Sequence, residues 1–513
     1  MKNISIKKFA AAALITSVIM GTGCAKIDQF GDINNDPNGI VNPVPSALLT
    51  NVGSQIGGFA AVLRTAVYAQ YIAENQYTDA SLYALPLLEM SGTYSGPLND
   101  LQTIINYNSN PLTAAAASVD GANANQIAIA RILKAFLFWQ TTDRWGDIPY
   151  SEALQGAANL TPKFDKQEDI YTDMIKELKE AGSSFVIGSP IKGDILYGGN
   201  TDKWIKMSNS LRLLMAVQMS NRFPAAGGFA ALAAADAASA SGGLITSNAD
   251  NFTLQYPGGS YQNPWYLAFL AREDYASCKT MGDVLSGLGD SRINAYGTNT
   301  IMFPYGLTRE LAVNYGNSIN NGMSIPLADI HRAENSPSVV ISAATVLLAR
   351  AEAKERGWIT VGGAEPTAEQ DYYAGITASF AQWGLTVSPA YLTGSANYNT
   401  SPGVPGSIGA GNAPYDNFRI ADNNIQDAAT TTPLARIALQ RWIAGFPNGN
   451  EGWAQQRRTG VPNLKTTRFK TGPFVTRYVY GNTDYGLNNA NTLEAAARMA
   501  NGDKQDSKVW WDN

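Results

Sequence analysis

The chain has 513 residues and a formal charge of −5, and only 15% of its residues are charged, against about 25% in a typical globular protein. That acidic balance argues against nucleic acid as a partner. One histidine, His331, and two cysteines, Cys24 and Cys278, argue against zinc and against most histidine-dependent acid–base chemistry.

The first element is a targeting segment. Lys2, Lys7 and Lys8 precede the apolar run Phe9–Met20, which leads into Gly21-Thr22-Gly23-Cys24. Twelve apolar residues are too few to cross a bilayer as a helix, which needs about 20. The layout looks like a bacterial lipoprotein signal spanning residues 1–23, with Cys24 as the lipidated residue and Gly21 where such signals usually carry leucine. Removing it deletes three lysines and no acid, which takes the formal charge from −5 to −8. With Cys24 acylated, only Cys278 is left and no intrachain disulfide can form.

Most of the mature chain reads as helices joined by long irregular loops. A helix is expected to end near Glu74. Ile127–Trp139 is apolar nearly all round, the pattern of a buried central helix. Asp169–Ala181 places Ile170, Tyr171, Met174, Ile175 and Leu178 on one stripe and meets Gly182, a helix-stop signal. Further helices are expected from Trp204 to about Arg222 and over Thr345–Trp358. Thr367-Ala-Glu-Gln370 has capping-box spacing and opens a helix to Trp383, stopped at Gly384. Ile437, Gln440, Arg441 and Ala444 lie on one side of a helix ended by Pro447-Asn448-Gly449. A short helix around Trp453 then carries Arg457 and Arg458 into a turn. Those two arginines, beside Trp453 and Glu451, read either as a fork for a ligand carboxylate or as a structural ion pair, and the structural reading is favoured.

Two regions, about 242–322 and 385–432, lack helical period and are rich in Gly, Asn, Ser, Thr, Pro and Tyr. Long structureless stretches inside a compact domain are commonly functional. The first region holds Tyr256, Tyr261, Trp265, Tyr266, Tyr296 and Tyr305, and the N-terminal stretch Tyr77–Tyr94 adds Tyr77, Tyr83 and Tyr94. Flat rings among amide side chains make a platform for a sugar or a peptide. The ligand-binding candidates are therefore Tyr77, Tyr83, Tyr94, Tyr261, Trp265, Tyr266, Tyr296 and Tyr305. The rival reading is that individual rings pin loops to the scaffold.

The stretch Ile437–Leu464, I-A-L-Q-R-W-I-A-G-F-P-N-G-N-E-G-W-A-Q-Q-R-R-T-G-V-P-N-L, resembles the C-terminal signature of the SusD/RagB family. Phe30–Asn38, Asp143–Ala153, Tyr197–Asn200 with Trp204, Ser210–Leu213, Ala351–Trp358 and Trp510–Asp512 are similar to other family segments. Asp290-Ser-Arg departs locally from the more usual Asp-Pro-Arg. The resemblance implies a mostly α, tetratricopeptide-like helical scaffold with long irregular loop insertions, forming a single domain over residues 24–513. It further implies a lipid-anchored outer-membrane protein, exposed at the cell surface, that captures an oligosaccharide or polysaccharide and delivers it to a SusC-like, TonB-dependent transporter. Capture of peptides, as in the RagB branch, is the alternative. A pure protein scaffold, which would lack a small-molecule site, is less favoured, and so is a glycoside hydrolase, because no carboxylate pair stands out and no G-x-S-x-G or P-loop signature is present.

No cofactor and no metal site is expected, and the family resemblance leaves a structural calcium elsewhere open. Asp32-Ile-Asn-Asn-Asp-Pro-Asn38 has the alternating oxygens of an EF-hand start, but Pro37 stands where glycine is needed and Pro43 where the closing Glu belongs.

Overall fold

The 3.6-residue patterns become helices that pack against their neighbours along the chain. The computed structural model describes residues 43–188, 190–360, 365–399, 432–464 and 466–512. The signal segment, Cys24, the EF-hand-like Asp32–Asn38 and most of the second loop region lie outside these residues. Val44–Asn513 forms one compact unit.

It opens with α1 (Pro45–Ile56), α2 (Leu63–Tyr68) and the short strand β1 (Ile72–Glu74). Helices α3 (Asn99–Ser109), α4 (Asn123–Trp145), α5 (Gln167–Ser183), α6 (Thr201–Gln218) and α7 (Phe229–Ser239) follow, each packed on the next. Between α4 and α5, β2 (Ile148–Pro149) pairs with β3 (Phe164–Asp165). The central segment holds β4 (Phe252–Leu254), α8 (Pro264–Leu270), β5 (Tyr275–Ser277), α9 (Lys279–Leu288) and α10 (Arg309–Ser318). Then come β6 (Ser338–Ile341), α11 (Ala343–Glu355), α12 (Ala368–Gln382), α13 (Pro433–Ala444) and α14 (Gly449–Thr459), followed by two short helices over Asn482–Leu487 and Asn489–Ala497. Helix α11 packs on α6, α12 and α13, while α14 closes back on α2. This is the mostly α scaffold expected from the helical periods, with the tetratricopeptide-like arrangement that the family resemblance implies.

Local chemistry accounts for the helix ends. In α5 the buried stripe is Ile170, Tyr171, Met174, Ile175 and Leu178, and the helix runs one residue past Gly182. Helix α6 starts three residues before Trp204 because Asn200 caps it, its side chain accepting from Lys203 N at 3.1 Å. The predicted capping box forms at α12: Thr367 Oγ1 accepts from Gln370 N at 3.1 Å and Gln370 Oε1 accepts from Thr367 N at 2.7 Å. Region 242–322 holds more helix than expected. Helix α9 buries Met281, Val284, Leu285 and Leu288 and ends at left-handed Gly289, a spacing that does carry the helical period.

The family-like segments meet in the core. Arg458 Nη1 and Nη2 donate to the two carboxylate oxygens of Glu352 at 2.6 and 2.7 Å, both side chains buried. Arg356 and Arg441 stand 2.9 and 4.0 Å from the same carboxylate. Burial alone would raise the Glu352 carboxyl, but the Arg458, Arg356 and Arg441 guanidinia outweigh it and hold the group at about 2. Arg457 lies over the Trp453 ring at 3.7 Å and donates to the Asp143 and Thr476 carbonyls. Both arginines are thus consumed by the fold, as the favoured architectural reading expects. Asp143 accepts from Trp511 Nε1 at 2.8 Å and from the Tyr171 hydroxyl, joining the central segment to the C-terminal tryptophan.

Candidate ligand-binding site

A short antiparallel pairing brings two distant loops together. Strands β1 and β5 align Ile72 with Ser277, Ala73 with Ala276 and Glu74 with Tyr275. The pairing continues past the strands: Asn75 N donates to Asp274 O at 3.0 Å, and Asn75 Nδ2 to Glu273 O at 2.7 Å. Gln76 and Tyr77 therefore emerge beside Arg272.

Tyr77 is 53% exposed. The Arg272 guanidinium lies 4.9 Å from its ring centroid and the Arg309 guanidinium 5.6 Å away, both within cation–π range. Arg272 is tethered to Asp274 at 2.7 Å, and Arg309 begins α10, whose N-cap Thr308 accepts from Leu311 N at 3.4 Å. Next to this ring is a depression of about 480 Å³. Asn75, Gln76 and Met323 line it together with Phe269–Glu273 from the end of α8, Ala312, Val313, Gly316 and Asn317 from α10, and Asn321. Its polar groups are mainly amides, with one ring in the wall and another at its edge. Such a surface offers apolar contact to a ring face and both donors and acceptors to hydroxyls.

Under this loop lies Glu74, buried and accepting from Ser81 N at 2.7 Å. Burial pushes its carboxyl up to about 7, against the lowering pull of Ser81 and Arg64.

The predicted aromatics are dispersed. Tyr77 stands at the depression, and Tyr266 is half-buried on α8. Tyr261 is half-buried, its hydroxyl donating to Ser54 O and its ring 5.1 Å from Tyr256. The Tyr94 hydroxyl donates to Pro149 O at 2.6 Å, and its ring packs edge-on against Phe138. Tyr83 and Tyr305 sit together in the core, with Phe474 5.3 Å from Tyr83. Tyr296 stacks on Phe446 at 4.2 Å and donates to Ile443 O at 2.9 Å. Trp265 is also buried, stacked on Phe269. No ring face of Tyr83, Trp265, Tyr296 or Tyr305 is open to solvent here, because each fills the space between a loop and the scaffold. Arg272, Arg309, Phe269, Asn317 and Asn321 carry no local sequence signal that marks them as site residues.

A larger depression, about 690 Å³, is lined by Lys166, Arg222, Arg498, Lys508, Asp147 and Glu168 among others. Its charges partly neutralise one another, as in the Arg498–Asp147 pair at 2.7 Å, and its one aromatic, Trp510, packs against Tyr171 and Phe223. Among the described residues, no group of three or more His, Cys, Asp or Glu side chains is placed to hold a metal ion.

Comparison with known proteins places these features in a family. Residues 37–481 match the SusD-like family described as "Starch-binding associating with outer membrane". A solved chitin-binding protein is 25% identical, with a TM-score of 0.71, and the match covers 91% of this chain and 100% of that one. A SusD homologue from Bacteroides uniformis is also 25% identical, with a TM-score of 0.72 and coverage of 92% and 100%. A chitin-binding SusD homologue from Flavobacterium johnsoniae shares the fold at 24% identity, with a TM-score of 0.72 and coverage of 91% and 98%. The search of curated proteins returned no match. With the family's match spanning most of the chain and the helical scaffold shared throughout, the protein belongs to the SusD-like family of outer-membrane-associated proteins.

Proposed function

We propose that the protein captures an oligosaccharide at the Tyr77 depression and delivers it to a SusC-like, TonB-dependent transporter, held at the cell surface by a lipid on Cys24. The observation that carries the reading is a half-exposed ring flanked by two guanidinia at the edge of an amide-walled depression of about 480 Å³. A ring stacks on a pyranose face, while amides and guanidinia exchange hydrogen bonds with its hydroxyls. The chitin-binding relatives support the same ligand class. Its task is binding without bond cleavage: the buried carboxylates Asp143 and Glu352 are taken up by Tyr171, Trp511 and Arg458 inside the scaffold.

Oligopeptide capture is the second reading. It is favoured by the same two guanidinia, since Arg272 and Arg309 would also take a peptide carboxylate. Titration calorimetry of protein lacking residues 1–24 against neutral glycans and oligopeptides separates the two. Glycan binding that weakens in Tyr77→Ala supports the first reading. Binding of peptides alone supports the second, and sustained release of reducing ends would overturn the non-enzymatic assignment.

A further inference from the structure

A smaller cavity, of about 90 Å³, opens between the start of α8, the end of α12 and the segment leading into β6. One water needs roughly 10–15 Å³, so the space holds several waters or a small organic group. Three buried polar atoms among its lining residues have no hydrogen-bond partner: Nε1 of Trp265, a residue 2% exposed, Nε1 of Trp383 and Oε1 of Gln382. A buried N–H without an acceptor and a buried amide oxygen without a donor are both unfavourable, and native structures seldom leave either unmatched.

The tryptophan is held firmly. Asn263 Oδ1 accepts from Trp265 N at 2.7 Å, while Asn263 Nδ2 donates to Ser336 O at 2.9 Å and Asn263 N to Glu334 O at 2.8 Å. The start of α8 is thereby pinned to the segment leading into β6, and the indole is stacked on Phe269. Much of the remaining lining is apolar: Ala60, Leu327, Pro337 and Pro447, with the Trp383 ring.

Two indole donors, one amide acceptor and partly apolar walls in a small space match a secondary amide bearing a methyl group, whose carbonyl oxygen accepts up to two hydrogen bonds and whose N–H donates one. We propose that this cavity receives the acetamido group of an N-acetylated sugar, its carbonyl oxygen accepting from Trp265 Nε1 and its N–H donating to Gln382 Oε1. A lone hydroxyl would leave the apolar walls and most of the volume unfilled. Helix α8 connects the two sites: Trp265 faces the cavity and Phe269, stacked on it, lines the Tyr77 depression. From residue 265 to 270 the helix rises only about 7.5 Å, a span that a short oligosaccharide covers. This inference rests on the glycan-capture reading and names its substrate class.

The test is calorimetric titration of the protein lacking residues 1–24 with four probes: an oligomer of N-acetylglucosamine, its de-N-acetylated form, a glucose oligomer of equal length and a capped neutral tripeptide. The expected result is at least a 10-fold preference for the N-acetylated oligomer over the glucose oligomer, falling to about 1 in both Trp265→Phe and Gln382→Leu. Two variants are used so that a folding defect in one, read from its melting temperature, leaves the other decisive. Equal binding of the N-acetylated and glucose oligomers overturns the acetamido assignment and leaves a water-filled cavity, with glycan capture intact. Survival of the preference in both variants overturns it as well. Tightest binding of the tripeptide assigns the cavity to a peptide amide and overturns the sugar, and binding of no saccharide at all overturns this inference together with glycan capture.

Discussion

Replacing Glu352 with Gln removes one charge from the middle of the scaffold and leaves the Arg458 guanidinium, wholly buried, without its counter-ion. The amide keeps the shape and can accept one of the two hydrogen bonds that Arg458 now makes at 2.6 and 2.7 Å. Breaking a buried ion pair from one side costs about 3–5 kcal/mol. The titration argument agrees: a carboxyl held at about 2 against its ordinary 4.5 corresponds, at about 1.4 kcal/mol per pH unit, to about 3 kcal/mol. Unfolding entropy of roughly 2 cal/mol/K per residue over a unit of this size gives about 1 kcal/mol per degree, so Tm should fall by about 3–5 °C at pH 7. Differential scanning calorimetry reads it directly. The sign with pH is also determined. A depressed carboxyl stabilises the fold fully above about 4.5 and loses that contribution as pH falls towards 2, so the gap between wild type and Glu352→Gln should narrow steadily on acidification. A shift below 1 °C at pH 7, or a gap that is unchanged at pH 3, would refute the assignment of Glu352 as the counter-ion of this cluster.

Other substitutions probe the site and the packing. Tyr77→Ala should weaken glycan binding about 60-fold with no change in far-UV circular dichroism: covering about 100 Å² of ring at about 25 cal/mol/Å² is worth about 2.5 kcal/mol, and Tyr77→Trp should retain affinity. The Gly452→Ala Cβ would meet the Tyr71 ring at 2.4 Å, in a core where Tyr71 also packs on Trp442 and Phe446. That overpacking should cost about 1–3 kcal/mol, seen as a lower urea midpoint. Glu74 is raised to about 7, so the folded state holds its proton more tightly and this group's contribution is lost as pH rises from 4.5 through 7. Glu74→Gln should therefore raise Tm relative to wild type at pH 8 and leave it unchanged at pH 5; an equal offset at both values would mean that Glu74 does not titrate in this window.

Helices were legible wherever their information is local. The α5 stripe and the Thr367 capping box are written within a few turns of chain, and the structure places them within a residue or two of expectation, whereas α13 ends at Ala444, before Pro447, and Asn448 and Gly449 serve as the cap and first residue of α14. The short helices of region 242–322 were obscured by surrounding Asn, Gly and Tyr, although α9 carries a readable period. The pairing of Arg457 and Arg458 beside Trp453 points to architecture, but Glu352, the counter-ion of Arg458, lies 106 residues away and is not named by spacing.

The aromatics show where local reading ends. Tyr77 and Tyr83 are six residues apart in the same polar stretch, yet one is 53% exposed and the other fully buried. A tyrosine between turn residues has the same sequence surroundings whether its ring pins a loop or waits for a ligand, because burial depends on what arrives from elsewhere in the chain. By itself the sequence determined the class of scaffold, its caps and stops, and the presence of a tyrosine-rich, charge-poor surface. Tertiary structure alone decided which ring stays open, since the β1–β5 pairing sets Tyr77 beside Arg272, and α10 adds Arg309, across some 200 residues of chain. Helical periodicity is enforced by bonds four residues apart, whereas a binding site is enforced by packing between segments that carry no record of one another.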